Sequence, residues 1–237
     1  MGENGFSGSV FITGANRGMG LGYVVHYLKQ GLSVIATAKK PGEAEELLRL
    51  EKEYPNQLSV LGLDVSCETS ILNLEDRLQD IRATFFLAIN NAGISLEEEF
   101  GEWTSAIFET HFRVNTIGPA LVSQTLVPFL EKGAKLIQVS SGLGSLGQSS
   151  NLSNGLSAYA ASKCALHSIT VRLAEKLRTK DIMVFAINPG WVKTKMGGDN
   201  APSTIEGAVG DITETIERLT FEQTGSFLSE KGELIPW

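Results

Sequence analysis

Short apolar runs alternate with helix-spaced segments along the whole chain. Ser9-Val10-Phe11-Ile12 reads as a short strand that runs directly into a glycine-rich turn. From Met19 to Gln30 the apolar residues Leu21, Val24, Val25 and Leu28 share one helical face, and Gly31 stops the pattern. Further strands are expected over 33–37, 58–63, 84–89, 134–139, 182–187 and 225–229. Between them the spacing predicts a charged surface helix over 43–54, ended by Pro55. It also predicts a long helix over 105–131, bent or broken by Pro119 and Pro128, and a second long helix over 157–179.

The strands are continuous Val/Ile/Leu runs, the pattern of strands covered on both faces. The chain therefore predicts an α/β fold: a doubly wound, Rossmann-type parallel sheet of about seven strands with helices on both faces, in a single domain over 1–237. In such folds ligands bind beyond the carboxyl ends of the strands, so the chemistry is sought in the segments after each strand. The loops 144–155 and 196–203 are rich in Gly, Ser and Asn and are expected to be the most mobile.

Composition narrows the function classes. With 42% hydrophobic and 20% charged residues the chain has material for a core, and disorder is disfavoured. A net charge of −7 without a long basic run disfavours nucleic acid and anionic membranes as partners. The longest apolar stretch, Phe85 to Ile89, falls far short of the roughly 20 residues of a membrane span. The MGENGF start lacks signal-peptide character, and Cys67 and Cys164 read as free thiols, so a cytoplasmic location is expected. His26, His111 and His167 are scattered without ligand partners at metal spacing, so no metal site is expected.

The most informative segment is Thr13-Gly14-Ala15-Asn16-Arg17-Gly18-Met19-Gly20. A glycine-rich turn between a strand and a helix lets the backbone approach a pyrophosphate, and the helix N-terminus supplies unpaired N–H groups. This points to a dinucleotide. The residue after the second strand commonly separates NAD from NADP: an acid takes the ribose hydroxyls, a base the 2′-phosphate. Ala38-Lys39-Lys40 stands there, with no acid, and Arg17 is a second candidate cation. The cofactor expected is NADPH; the competing reading of Lys39 and Lys40 as solvated surface charges is the weaker one.

These motifs, with Leu63-Asp64-Val65, Asn90-Asn91-Ala92-Gly93, Asn115, Ser140-Ser141, Tyr159-x-x-x-Lys163 and Asn188-Pro189-Gly190, resemble the compact, single-domain branch of the short-chain dehydrogenase/reductase family. They occur in the family's order and span essentially the whole chain. The stretch from Pro189 to Gly198 and the Pro236-Trp237 ending are similar to the carbonyl-reductase-like group that includes sniffer and the C-factor signalling proteins. The resemblance implies that Gly14, Asn16, Arg17, Gly18, Met19 and Gly20 contact the cofactor and that Asp64 and Val65 receive the adenine. Asp64 reads as well as a helix N-cap. Asn91, Ala92 and Gly93 would lie against the cofactor, stabilise the sheet, or both. Pro189, Gly190 and Val192 would face the nicotinamide, and Thr194 its carboxamide. Trp191 would flank the substrate or pack in the core.

For catalysis the resemblance implies that Ser141 binds the substrate oxygen, Tyr159 donates the proton, Lys163 tunes Tyr159 and holds the ribose, and Asn115 supports Lys163 through a water. Four residues apart on a helix, Tyr159 and Lys163 share a face. A phenol with a pKa near 10 transfers protons poorly at neutral pH, and a nearby ammonium should lower that value. The Ser141–Tyr159 spacing is longer than the family's usual one, with the extra residues in the 144–155 loop. The expected activity is NADPH-dependent reduction of the carbonyl of a small ketone, aldehyde or quinone, in a possible homodimer. The alternative is a cofactor-binding regulatory or signalling protein with little turnover. Too few residues follow Thr194 for the substrate domain of the family's extended branch.

Overall fold

The computed structural model describes residues 8–148 and 156–237. Among them, seven strands form one sheet: β1 (Ser9–Ile12), β2 (Val34–Ala38), β3 (Leu58–Gly62), β4 (Phe85–Asn90), β5 (Leu130–Val139), β6 (Met183–Ile187) and β7 (Phe227–Leu228). Their order is β3-β2-β1-β4-β5-β6-β7, and every pairing is parallel. The direction of winding reverses between β1 and β4. Seven α-helices cover the sheet: α1 (Gly18–Lys29), α2 (Glu45–Glu53), α3 (Glu68–Asp80), α4 (Ser105–Phe112), α5 (Gly118–Leu126), α6 (Ser157–Leu177) and α7 (Ile205–Arg218).

Side chains that alternate along each strand build two separate cores. Val10 and Ile12 of β1, Val34 and Ala36 of β2, and Phe185 and Ile187 of β6 pack with α1, α2 and α7. Phe11, Ile35 and Val184 point the other way, against α3, α5 and α6. Both sets are fully buried, so the strands show no polar face in sequence. This is the doubly wound architecture expected from the pattern. No helix among the described residues is long and apolar enough to cross a membrane.

Several elements differ from expectation. The 105–131 helix is three pieces: α4, a π-helical turn over Arg113–Ile117, and α5. Pro119 sits in the first turn of α5, where its missing N–H costs nothing. Pro128 lies in a short 3-10 turn, after which the chain is already extended at Leu130, so β5 begins earlier than expected. Helices α3 and α7 add to the expected set. Ile71, Leu74 and Leu78 in α3, and Val209, Ile212 and Ile216 in α7, carry the buried helical spacing. Of the two loops expected to be mobile, 149–155 lies outside the described residues. The other, 196–203, carries hydrogen bonds: Trp191 Nε1 donates to the Gly197 carbonyl at 2.7 Å, the Gly197 amide to Thr194 Oγ1 at 3.0 Å, and the Lys193 amide to the Ser203 carbonyl at 2.8 Å.

The start of α5 packs backbone to backbone on the segment after β3. A Cβ on Gly118 would lie 2.5 Å from the Val65 carbonyl and 3.2 Å from that of Arg113. Backbone cannot yield as a flexible side chain can, so Gly118→Ala should cost roughly 1–3 kcal/mol of stability. Urea unfolding of the two proteins measures this, and coincident midpoints would show that the contact has slack.

Candidate active site

The site gathers at the switch point, where the carboxyl ends of β1 and β4 lie side by side. Thr13, just past β1, is buried, and its Oγ1 accepts the amides of Asn91 and Ala92, each at 3.0 Å. Asn91 returns two bonds from Nδ2, to the carbonyls of Thr13 at 2.9 Å and Gly14 at 3.2 Å. The glycine turn is thereby sewn to the end of β4. Gly14 has φ +64°, and a Cβ there would stand 2.8 Å from the Ala92 Cα. Small residues at both positions follow from this approach. The N-cap of α1, Arg17, is extended and its side chain makes no capping bond, leaving the first amides of the helix available to an anion.

At the rim, Lys39 and Asp64 form an ion pair of 2.7 Å, with the lysine two-thirds exposed. Asp64 Oδ1 accepts from the Ser66 amide at 3.0 Å and from its hydroxyl at 2.6 Å. Burial opposes the charge on Asp64, but Lys39 and Ser66 outweigh it and hold the carboxyl below its usual range. Asp64 does not cap α3; Cys67 takes that position, without a side-chain bond. Lys40 pairs with Glu43 at 2.9 Å. Among the described residues no ion pair engages Arg17.

The second half of the site comes from β5 and α6. Ser141 follows β5; its Oγ accepts the Leu143 amide at 3.2 Å and shares a hydrogen bond with the Tyr159 phenol. Ser140 points away and meets His167 Nε2 at 2.7 Å. Burial, helped by the Lys163 charge, pushes His167 down to about 4, so its ring is neutral. Tyr159 and Lys163 are both buried on α6, with Lys163 Nζ 5.8 Å from the phenol ring centre. That ammonium donates to the Val139 carbonyl at 2.8 Å, and burial pushes it down to about 8. The net shift of the Tyr159 phenol is upward, against the lowering expected from the sequence. Burial is the larger effect and raises the phenol, with the Ser141 bond offsetting only part of it.

Asn115 lies within the π-helical turn and is fully buried. Its Oδ1 accepts the Ile94 amide at 2.9 Å, and its Nδ2 donates to the Ile94 carbonyl at 2.9 Å and to Ser162 Oγ at 3.0 Å. The amide thus clamps the segment after β4 to α6. A Cβ on Gly93 would sit 3.3 Å from Asn115 Oδ1 and 3.6 Å from Lys163 Nζ, so Gly93 lies between them. On the β6 side, Gly190 has φ +74°, Val192 is buried, and Thr194 overhangs Gly18, to whose Cβ position its Cγ2 would be 3.6 Å. Trp191 is no core residue, being 56% exposed.

A sequence model described as short chain dehydrogenase matches residues 9–204. The chain belongs to this family. It is 31% identical to the short chain dehydrogenase gsfK of Penicillium aethiopicum, over 97% of this chain and 99% of that one. Among solved structures it is similar to the NADPH-bound carbonyl reductase from chicken fatty liver, with a TM-score of 0.88, 31% identity, and coverage of 97% and 98% of the two chains. It is also similar to the carbonyl reductase Sniffer of Drosophila melanogaster, with a TM-score of 0.90, 30% identity, and coverage of 98% and 100%. As a short-chain dehydrogenase it is an oxidoreductase by family.

Two supports of this short-chain dehydrogenase site go beyond the residues picked out from sequence. His111 is buried, accepts the Leu96 amide on Nε2 at 3.0 Å, approaches the Ile107 carbonyl through Nδ1 at 2.8 Å, and packs edge-on to Tyr159. Glu98 accepts the amide of Ala158, immediately before Tyr159. Neither carries a local signal: one is an isolated histidine, the other the middle of a Glu97-Glu98-Glu99 run.

Lys163 is the costly member of the set. Its ammonium binds its proton less tightly in the folded protein, about 8 against 10.5, so folding is opposed below pH 8 and the opposition fades as pH rises to 10.5. A displacement of that size corresponds to roughly 3 kcal/mol, less whatever the Val139 bond returns. Lys163→Met should therefore raise the cofactor-free Tm at pH 7 by several degrees, with the gap closing between pH 8 and 10.5. Calorimetry at both ends of that window checks this; an equal or lower Tm at pH 7 would mean the burial cost is compensated elsewhere.

Proposed function

We propose that this short-chain dehydrogenase is an NADPH-dependent reductase of small-molecule carbonyls, acting on a ketone, aldehyde or quinone and yielding the alcohol. The observation that carries the reading is the meeting of Ser141, Tyr159 and Lys163 beside the uncapped start of α1. The residues present fit a dinucleotide. The Gly14 turn leaves no room for a Cβ, and the first amides of α1 lack a capping side chain. Arg17 and Lys39 are the cations for a 2′-phosphate, Asp64 and Val65 the adenine contacts, and Asn91, Ala92 and Gly93 the wall. Asn16 and Met19 complete the turn, while Pro189, Gly190, Val192 and Thr194 close the nicotinamide end. Solved carbonyl reductases of this fold, one of them holding NADPH, support the cofactor assignment.

When bound, the reduced nicotinamide supplies the hydride that reaches the carbonyl carbon. Ser141 hydrogen-bonds the substrate oxygen and orients it toward Tyr159. The raised phenol keeps its proton at neutral pH, which suits a donor to a developing alkoxide. Once the proton has left, the Ser141 hydroxyl and the Lys163 ammonium stabilise the phenolate. Lys163 also holds the ribose, and Asn115, through Ile94 and Ser162, keeps α6 at its place.

Tyr159→Phe keeps the ring and removes the hydroxyl, so NADPH binding should survive while turnover falls by about 10²–10⁴-fold or more. NADPH fluorescence titration alongside steady-state rates with a quinone and an aldehyde measures both. Parental turnover in the variant would remove the proposed acid. The two cations should separate by their present partners. Lys39 must leave Asp64 to reach a phosphate, whereas Arg17 is free of any described ion pair. Arg17→Ala should weaken NADPH binding by roughly ten- to a hundredfold, Lys39→Ala by less, and neither should weaken NADH binding. Equal losses for both cofactors would place the two cations away from the 2′-phosphate.

A further inference from the structure

The chain after β7 folds back on itself and reaches the segment that follows Ser141. Leu228 pairs antiparallel with Leu234, the Ser229 amide donates to the Glu233 carbonyl at 2.8 Å, and the Ile235 amide to the Phe227 carbonyl at 2.8 Å. This hairpin delivers Pro236 and Trp237 to residues 145–147. Ser145 Oγ donates to the Pro236 carbonyl at 2.5 Å, and the amides of Leu146 and Gly147 both donate to the Trp237 carbonyl, at 3.1 and 2.9 Å. The contact is close: a Cβ on Gly147 would stand 2.7 Å from Pro236 Cβ.

The Trp237 indole anchors this strap. It stacks on Phe227 at 5.6 Å and 20°, and meets His167 edge-on at 5.1 Å. His167 in turn holds Ser140, the neighbour of Ser141. Nearer the site, Gly144 lies against the α6 backbone, a Cβ there falling 2.8 Å from the Lys163 carbonyl carbon. Residues 141–147 are thus held by α6 on one side and by Pro236-Trp237 on the other, with the Leu146 side chain left 83% exposed.

We propose that Trp237, with Pro236, is a positioning residue for the substrate side of the site: it holds the 145–147 segment that continues from Ser141. Single hydrogen bonds contribute modestly, and the stacked ring keeps the strap in register. The proposal rests on the carbonyl-reductase reading, and its test is built so that the two can fail separately.

In Trp237→Ala, NADPH affinity should stay within about twofold of the parent, because no contact of the strap reaches the glycine turn. The KM for phenanthrenequinone should rise by roughly five- to twentyfold with a smaller change in kcat, and Trp237→Phe should recover most of the loss. A merely structural role would lower Tm and leave the KM of the folded protein unchanged. Hydrogen exchange supplies a readout independent of turnover. The Leu146 and Gly147 amides should exchange at least about tenfold faster in Trp237→Ala, with the β4 and β5 amides unaffected. Should Trp237→Ala not fold, Gly147→Ala presses on Pro236 from the other side, keeps the indole, and should raise KM likewise. Parental KM and parental protection of Leu146 and Gly147 would overturn the strap. A parent that reduces no carbonyl would overturn the reductase reading, and the exchange measurement would then decide the strap alone.

Discussion

A parallel sheet covered by helices on both faces leaves only its ends open to solvent, and everything functional in this chain follows from that constraint. Strands without a polar face cannot carry a site along their length. At one end, all seven strands finish together, and the segments leaving them must diverge to reach helices on opposite faces. The divergence between β1 and β4 opens a crevice. The chain then has to keep that crevice from collapsing while leaving its backbone amides exposed. Thr13 and Asn91 do so with four hydrogen bonds across the gap, and glycine at 14 allows the two strand ends to come close enough for them.

The half of the site built on α6 obeys the opposite requirement. Tyr159 and Lys163 sit on a long helix that docks over β5 and β6, so their polar ends are buried together. Burial moves both groups in the direction of their neutral forms: the phenol up and the ammonium down to about 8. The site therefore carries an electrostatic debt when empty, and a ligand with hydroxyls and negative charge would relieve it. This accounts for placing a lysine where a hydrocarbon side chain would make a more stable protein. It also accounts for the dense clamping of the surroundings. Asn115, Ser162, His111 and Glu98 tie the segment after β4 to α4 and α6 from several directions, so a buried charge cannot be relaxed by local opening.

The fold recurs in solved carbonyl reductases to which this chain is similar over nearly its full length. Two supports stand outside the chain's short motifs. The Lys39–Asp64 pair joins the segments after β2 and β3, and Pro236-Trp237 reaches back to the segment after Ser141. Neither belongs to the glycine turn or to the Tyr-x-x-x-Lys pattern. Both show how residues remote in sequence set the edges of a site whose centre is common to a family.

The local pattern by itself determined the architecture, because continuous apolar strands broken by helical spacing have few ways to bury themselves other than a doubly wound sheet. It also marked the Gly14 to Gly20 turn as a dinucleotide candidate, while Tyr159-x-x-x-Lys163, a short-range arrangement that one helix turn imposes, took its meaning from the family resemblance. Only the tertiary structure decided the rest, for a common physical reason: these interactions join residues far apart in the chain, and no periodicity records them. The break of the 105–131 helix into a π-turn at Asn115 is set by α6 and Ile94, which hold that side chain from outside the helix. Asp64 reads as a cap or a cofactor contact until Cys67 is found at the cap of α3 and Lys39, from the segment after β2, is found paired with Asp64. The phenol of Tyr159 moves up rather than down because burial, a property of the whole packed fold, outweighs the bond with Ser141. Spacing announces which side chains can meet; the packing around them settles their charge.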